Sequence, residues 1–375
     1  MESSIHYRPT KAIIDLEAIK ENIKLLKGHL GEKTSIIAVV KADGYGHGDV
    51  EIVRAALEAG AAMVSVATPD EAIQLRNNGV LGDILVMAPT PVVFAKKAAE
   101  LDITVAVPGV EWLKEVFTEQ KQFKNPLKIH MKIDCGMGRV GLRDAEVLHS
   151  MVAIIKQSEN IVLDGVFTHF PCADDGCRST TEKQCEVFKG FVELLPEKPR
   201  LVHVSNSAAA LLYPEYGFDA VRFGISMYGI APSEYVAENL PFPLQRALVV
   251  ESELSYVKQL EKGSAISYGA TYKTTADEWI GTIPIGYADG LRRGLRGQEV
   301  LIAGERMPIV GLICMDQCMV KLSRELAVGE KVVLIGKQDD EEVKVEEWAR
   351  RLKTIPYEIV VSIASRVPRI YEEKN

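Results

Sequence analysis

Eight short apolar runs, each followed by an amphipathic or connecting segment, constrain the fold of this chain more than any other feature of its sequence. The runs are Thr34–Asp43, Met63–Thr68, Asp83–Pro89, Ile103–Pro108, Leu127–Asp134, Val162–Phe170, Arg200–Asn206 and Ala220–Ser226. Most are continuously apolar rather than alternating, the pattern of strands buried on both faces of a parallel sheet. Between them Asp49–Ala59, Pro69–Asn78 and Thr180–Leu195 read as helices, and Pro69-Asp70-Glu71 has the proline and acidic first turn of a helix start. This alternation predicts an α/β chain whose first part closes as a (β/α)8 TIM-type barrel, with a doubly wound sheet as the alternative. The pattern changes at Pro241-Phe242-Pro243. Beyond it Ala247–Leu260, Trp279–Ala288, Glu299–Ile302, Met307–Leu322 and Lys331–Ile335 are β-like, and Val345–Leu352 is the one clear helix. The expectation is a barrel over 1–240 and a separate, mainly β C-terminal domain over 241–375.

A length of 375 residues exceeds one typical core and agrees with two domains. The net charge of −8 argues against general nucleic-acid binding, which needs clustered positive charge. No run approaches the ~20 uninterrupted apolar residues of a membrane span, and MESSIHYRPTKAIIDLEAIK lacks the apolar centre of a secretory signal. The six cysteines, Cys135, Cys172, Cys177, Cys185, Cys314 and Cys318, lack the paired spacing of a zinc site. They read as reduced thiols of a cytoplasmic protein, with no metal expected.

In a barrel of this kind chemistry collects at the carboxyl ends of the strands. That rule selects Lys41, Arg139, His169, Asn206-Ser207 and the Arg222-Phe223-Gly224 run. Lys41 follows Ile36-Ile37-Ala38-Val39-Val40, so a buried strand carries its amine to the rim. Desolvation moves such an amine toward its neutral, nucleophilic form, fit to bond a carbonyl cofactor. A strand-end lysine that simply reaches solvent fits the run equally well. Asp43-Gly44-Tyr45-Gly46-His47-Gly48 is a glycine-spaced loop that lets backbone approach a ligand, a weak signal alone. Barrel phosphates sit near the last two strands, where Ser207 offers a hydroxyl at a helix start and Gly224-Ile225 offer backbone N–H groups. Ser207 as a plain helix cap is compatible with both readings.

Val39-Val40-Lys41-Ala42-Asp43-Gly44-Tyr45-Gly46-His47-Gly48 resembles the cofactor-lysine motif of the alanine racemases. The resemblance continues, in order, through Lys132-Ile133-Asp134-Cys135-Gly136-Met137-Gly138-Arg139, Thr168-His169-Phe170, Asn206-Ser207-Ala208 and Val221-Arg222-Phe223-Gly224-Ile225. In the second domain it covers Ser267-Tyr268-Gly269, Gly286-Tyr287-Ala288-Asp289-Gly290, Cys314-Met315-Asp316 and Pro356-Tyr357-Glu358. One motif would be modest evidence; the ordered set is specific.

The resemblance implies pyridoxal 5'-phosphate bonded to Lys41, its phosphate held by Tyr45, Ser207, Gly224, Ile225 and Tyr357, with His169 and Asn206 in the cofactor site. It also implies Arg222 at the pyridine nitrogen, where a guanidinium keeps its proton and weakens the ring as an electron sink. Lys41 and Tyr268 would be the two acid/base groups, with His169 and Arg222 tuning a phenol whose ordinary pKa is about 10. Arg139 would contact the substrate carboxylate or the cofactor's phenolic oxygen, Met315 and Asp316 would complete the pocket near that carboxylate, and Lys132 matches a lysine often carbamylated in the family, a modification that would orient Arg139. The implied activity is interconversion of L- and D-alanine by a homodimer with shared active sites, supplying D-alanine for peptidoglycan. Serine is the competing substrate, because apolar pockets discriminate poorly against an added hydroxyl. A non-catalytic pyridoxal-phosphate homeostasis protein would lack the second domain. A decarboxylase would favour an acidic group where Arg222 stands, and a barrel without cofactor would show no aldimine absorbance. One segment, PCADDGCR at 171–178, departs from the family pattern by its cysteines.

Overall fold

The computed structural model of the chain describes residues 7–373. Its strands in chain order are β1 (Lys11–Asp15), β2 (Ser35–Val39), β3 (Met63–Val66), β4 (Asp83–Val86), β5 (Ile103–Val107), β6 (Leu127–Lys132), β7 (Ile161–Phe167), β8 (Leu201–His203) and β9 (Ala220–Phe223). Strands β2 to β9 pair in sequence, all parallel, and β9 closes on β2, with Ile37 opposite Arg222. Each of the eight runs read from the sequence supplies one barrel strand. The expected runs extend past several strand ends because apolar chain continues into the loops that follow. Strand β4, for instance, stops at Val86, with Met87-Ala88-Pro89 beyond it. The helix expected at Pro69 is present as Pro69–Asn77, with Thr68 and Glu71 forming a reciprocal capping box.

The barrel interior changes character along its axis. Ile37, Met63, Leu85, Leu201 and Ala220 form one apolar layer. Two residues further along β8 and β9 the same inward face carries His203 and Arg222, both buried. The core thus turns from apolar to polar toward the carboxyl ends.

The remaining strands are β10 (Leu248–Glu253), β11 (Tyr256–Leu260), β12 (Ala265–Ile266), β13 (Tyr272–Lys273), β14 (Glu278–Ile283), β15 (Glu299–Ile302), β16 (Glu305–Val310), β17 (Cys318–Leu322), β18 (Lys331–Gln338), β19 (Glu341–Val343) and β20 (Arg369–Glu372). They build a sheet in the order β11-β14-β17-β16-β15-β18-β10-β1-β20, with β19 on β18 and a small β12-β13 ribbon. The run expected over Met307–Leu322 divides into β16 and β17, because Gly311 at φ +71 begins a turn. A second helix, Pro356–Ser362, follows Val345–Leu352; its short apolar stretch does not distinguish helix from strand by periodicity, but Pro356 fits a helix start.

By their contacts the residues fall into two compact units. One compact unit comprises Glu17–Gly44 and Asp49–Arg246; the other takes the described part of Met1–Leu16, Tyr45–Gly48 and Ala247–Asn375. Strand β1 joins the second unit because it pairs antiparallel with β10 and parallel with β20. Its residues alternate half-buried and buried, the mark of a strand with one covered face. Among the described residues no helix is long and apolar enough to cross a membrane, and all six cysteines are free.

Leu85 is fully buried in the apolar barrel layer. Leu85→Ala should cost about 2–5 kcal/mol, seen as a lower urea midpoint with an unchanged denaturant slope. An unchanged midpoint would show that the layer is not packed as described.

Candidate active site

Lys41 stands at the carboxyl end of β2, half-buried, and the backbone after it turns the wrong way for L-residues. Ala42, Asp43 and Gly44 have φ/ψ near (54, 52), (54, 53) and (57, 44), and Tyr45 has φ 52. Left-handed helical backbone costs roughly 1–2 kcal/mol per non-glycine residue, so neighbouring groups must hold it. The Gly44 N–H donates to the Val40 carbonyl at 2.9 Å, and the Asp49 N–H to Asp43 Oδ1 at 3.1 Å. The Ala42 N–H donates to Glu71 Oε1 at 2.7 Å, while Glu71 Oε2 accepts from the N–H groups of Ala67 and Thr68. Glu71, legible in the sequence only as part of a helix start, is therefore also the clamp on the Lys41 turn.

Burial lowers the pKa of the Lys41 amine, and Arg139 and then Arg222 push the same way against an opposing pull from Glu71. Lys132, at the end of β6, is buried with its amine 4.2 Å from the centre of the Phe167 ring. Burial, then Arg222 and Arg139, takes its pKa well below the usual lysine range. His169, just past β7, is driven down to about 2 by burial and then by Arg222, Lys132, Arg139 and Lys41. Arg139 itself lies in an exposed loop. Arg139 and Arg222 thus act together to disfavour protonation of Lys41, Lys132 and His169.

Arg222 is buried, and its guanidinium bonds no carboxylate among the described residues. Nη1 donates to His203 Nδ1 at 2.8 Å and to the His203 carbonyl at 3.3 Å. Nη2 donates to the carbonyls of Thr168 and Val204, both at 2.8 Å, and approaches His169 Nδ1 at 3.4 Å. The arrangement is not the rim salt bridge that an arginine at a strand end usually makes. Burial and then Arg139 lower its pKa to about 9, which still leaves a cation at neutral pH.

Beside it, Ser207 Oγ accepts the Gly224 N–H at 2.9 Å, ahead of the buried Ile225. Ser207 is not the helix cap. That role falls to Asn206, whose Oδ1 accepts the Ala209 N–H at 3.0 Å while its Nδ2 donates to the Phe170 carbonyl at 2.9 Å. Both ends of the Asn206 amide are engaged in holding the loop.

In the other unit Tyr45 and Tyr357 place their rings 6.1 Å apart. The Met315 carbonyl accepts the Ala288 N–H at 3.0 Å, which ties the Cys314-Met315-Asp316 turn to the Gly286–Gly290 motif. Asp316 pairs with Arg366 at 2.9 Å. Tyr268 follows Ser267, whose left-handed backbone at φ 67 is fixed by Oγ donating to the Leu312 carbonyl at 2.7 Å. The Tyr268 side chain is 71% exposed and Met315 53%, so this unit carries both as uncovered side chains. The departing segment 171–178 contains Cys177, an exposed thiol just before helix Arg178–Glu193, with its pKa lowered by the Ser179 and Thr180 hydroxyls.

Sequence reasoning passed over His130, Asp164, Phe167 and His203, all inside the barrel. The signal was available: a histidine or aspartate in a continuously apolar strand must find a buried partner.

A barrel that gathers amines, a buried guanidinium and a hydroxyl at its carboxyl ends, in a chain with a mainly β second unit, defines a class of barrel enzyme. The family model described as alanine racemase, N-terminal domain, matches residues 14–232, and that for the C-terminal domain matches residues 247–371. The chain is 46% identical over 375 residues to alanine racemase 1 of Bacillus subtilis, covering 100% of this chain and 96% of that protein. Among solved structures, the alanine racemase of E. faecalis is similar with a TM-score of 0.95 at 43% identity, covering 98% of this chain and 99% of that one. That of Bacillus anthracis, solved with bound L-Ala-P, gives 0.94 at 41% identity, covering 99% and 96%. The chain belongs to the alanine racemase family.

The cationic surroundings of Lys41 give a signed test. Trapping its amine with pyridoxal and borohydride across a pH series should yield an apparent pKa below the usual lysine range. Removing a nearby cation favours the ammonium, so Arg139→Gln should raise that value; removing an anion disfavours it, so Glu71→Gln should lower it. Shifts of the opposite sign would refute this electrostatic picture.

Proposed function

We propose that this chain interconverts L- and D-alanine with pyridoxal 5'-phosphate, using Lys41 and Tyr268 as its two acid/base groups. The observation that carries the reading is the half-buried Lys41 amine, lowered in pKa, in a neighbourhood where Arg222 and Lys132 are buried without a carboxylate contact among the described residues. That donor set fits a dianionic phosphate and a substrate carboxylate. When bound, pyridoxal 5'-phosphate supplies a conjugated ring that delocalises the electron pair left at Cα.

Lys41 would hold the cofactor covalently through its amine. Ser207, Gly224 and Ile225 from the barrel unit, with Tyr45 and Tyr357 from the other, would bind the phosphate oxygens. The Ser207–Gly224 hydrogen bond and the Tyr45–Tyr357 ring contact are the local arrangements that support these two groupings. His169 would flank the ring, with Asn206 setting the loop beside it. Arg222 would face the pyridine nitrogen as a donor that keeps its own proton. Arg139, Met315 and Asp316 would orient the substrate carboxylate. Lys132, as a carbamate, would supply the negative charge that positions Arg139; its depressed pKa supports this, since only a neutral amine adds carbon dioxide.

Racemisation needs a proton removed from one face of Cα and returned to the other. A Lys41 amine and a Tyr268 phenol, one on each face, perform that exchange without either crossing the substrate. We further propose a homodimer in which Tyr268, Met315 and Asp316 complete the partner's site, supported by the exposure of Tyr268 and Met315 in the single chain. The barrel, about 1–240, would carry the cofactor, and the β domain, about 241–375, the second acid/base. The place of action would be the cytoplasm, in keeping with six unpaired thiols, and the product D-alanine for peptidoglycan.

The decisive measurement is racemisation of alanine against serine, with Lys41→Ala as control; alanine should be preferred and the control inactive. Tyr268→Phe should slow racemisation ~10²–10⁴-fold, yet in deuterated water it should leave Cα hydrogen exchange intact for one enantiomer. Equal loss of exchange from both enantiomers would rule out two bases on opposite faces. Mixing Lys41→Ala with Tyr268→Ala protein should restore part of the activity through hybrid sites. No recovery, once subunit exchange is demonstrated, would refute the shared site.

A further inference from the structure

Behind Arg222, side chains from β8, β6 and β7 continue its hydrogen bonding down the inside of the barrel. Arg222 Nη1 reaches His203 Nδ1 at 2.8 Å; His203 Nε2 meets His130 Nδ1 at 2.9 Å; His130 Nε2 meets Asp164 Oδ2 at 3.2 Å. Arg200 closes the far end, its Nε on Asp164 Oδ1 at 2.8 Å and Nη2 on Oδ2 at 2.7 Å. Both imidazoles are fully buried.

The chemistry of the two ends fixes every proton between them. A guanidinium has no acceptor, so it donates and His203 Nδ1 accepts. His203 then carries its hydrogen on Nε2 and donates to His130 Nδ1. His130 in turn carries its hydrogen on Nε2 and donates to the carboxylate. A second proton on either ring would set two donors against each other. Both histidines are therefore neutral and all three bonds point the same way, toward Asp164.

The fold gives up regularity to house this line. Between Ile129 and His130 the β6–β7 register slips: Ile129 faces Leu163 and His130 faces Gly165, leaving Asp164 as the extra residue of a bulge. At Gly165 a Cβ would stand 2.6 Å from His130 ring atoms, so only glycine leaves room for the imidazole. The Phe167 ring stacks on His203 at 4.9 Å and 9°, which sets the plane of that ring.

A buried cation without a counterion is costly, and the other partners of Arg222 are neutral carbonyls and the His169 ring. Aligned hydrogen bonds in a low-dielectric interior polarise one another, so the Asp164 charge reaches Arg222 as added negative character on His203 Nδ1. The line is not built to remove a proton. Burial pushes the Asp164 carboxyl up, but hydrogen bonds from His130 and Arg200 together hold it well below the usual carboxylate range, a poor terminal base.

We propose that Asp164, His130 and His203 are positioning residues that forward a carboxylate's charge to Arg222 and keep its proton on the guanidinium. This rests on the reading that Arg222 faces the cofactor's pyridine nitrogen. A guanidinium so held does not protonate that nitrogen, and the electron pair at Cα is recaptured by a proton there. With the line broken, the proton goes more often to the cofactor's C4′ instead. Water then hydrolyses the resulting imine, releasing pyruvate while the amino group stays on the cofactor.

Two measurements test the line. In cofactor-free wild-type protein, long-range ¹⁵N–¹H NMR should find His130 and His203 neutral and protonated only on Nε2 between about pH 6 and 8. A cationic ring, or an Nδ1-protonated ring at either position, would overturn the line itself. In holoenzyme, Asp164→Asn should lower kcat for racemisation several-fold with little change in KM and raise pyruvate formed per racemisation several-fold. Leu85→Ala, which perturbs only packing, should leave that ratio where it was. A folded Asp164→Asn enzyme with an unchanged ratio would overturn the proposed role. If wild-type holoenzyme fails to racemise alanine, the functional half falls with the reading it rests on, while the tautomers still report on the line.

Discussion

A guanidinium taken out of water must find all of its acceptors in protein, and Arg222 finds them in three carbonyls, one fully buried imidazole and the edge of His169. This requirement organises much of the barrel's upper interior. It fixes the carbonyl directions after β7 and β8, and it fixes the tautomer of His203. It also contributes to the lowered pKa of Lys41, because a cation nearby makes a second cation harder to form. The same repulsion acts on Lys132 and His169. Basic groups gathered around one buried cation are thereby disfavoured in their protonated forms.

The strained turn after Lys41 is the second local device. Left-handed backbone at Ala42, Asp43 and Tyr45 is unfavourable by itself, and hydrogen bonds to Glu71, Asp43 and Val40 offset it. Because Glu71 also caps helix Pro69–Asn77, the turn that carries the lysine is braced by a separate regular element. Support of this kind, from a regular element outside the turn, holds the Lys41 backbone in one conformation.

Much of this was legible along the chain. Eight apolar runs gave eight barrel strands because parallel strands covered on both faces need no polar residues, a pattern that survives without knowledge of contacts. Lys41, Arg139, His169, Ser207 and Arg222 could be singled out because they lie at or just beyond the carboxyl ends of those runs. Less visible was β1, whose five residues sit far in sequence from both partners, β10 and β20. Helix Pro356–Ser362 was missed because a short apolar segment is ambiguous in period. That Asn206 rather than Ser207 caps the helix was not legible, because both residue types make good caps in sequence.

By itself, then, the sequence determined the eight strands of the barrel, the mainly β second unit and the residue types at the barrel strand ends, since burial and periodicity are local properties. Only the tertiary structure decided that Arg222 has a histidine rather than a carboxylate at its back, that Glu71 clamps the lysine turn, and that a bulge at Asp164 aligns two imidazoles between opposite charges. Those are contacts between residues tens of positions apart. Their geometry depends on strand register and side-chain direction in three dimensions, which no one-dimensional pattern carries.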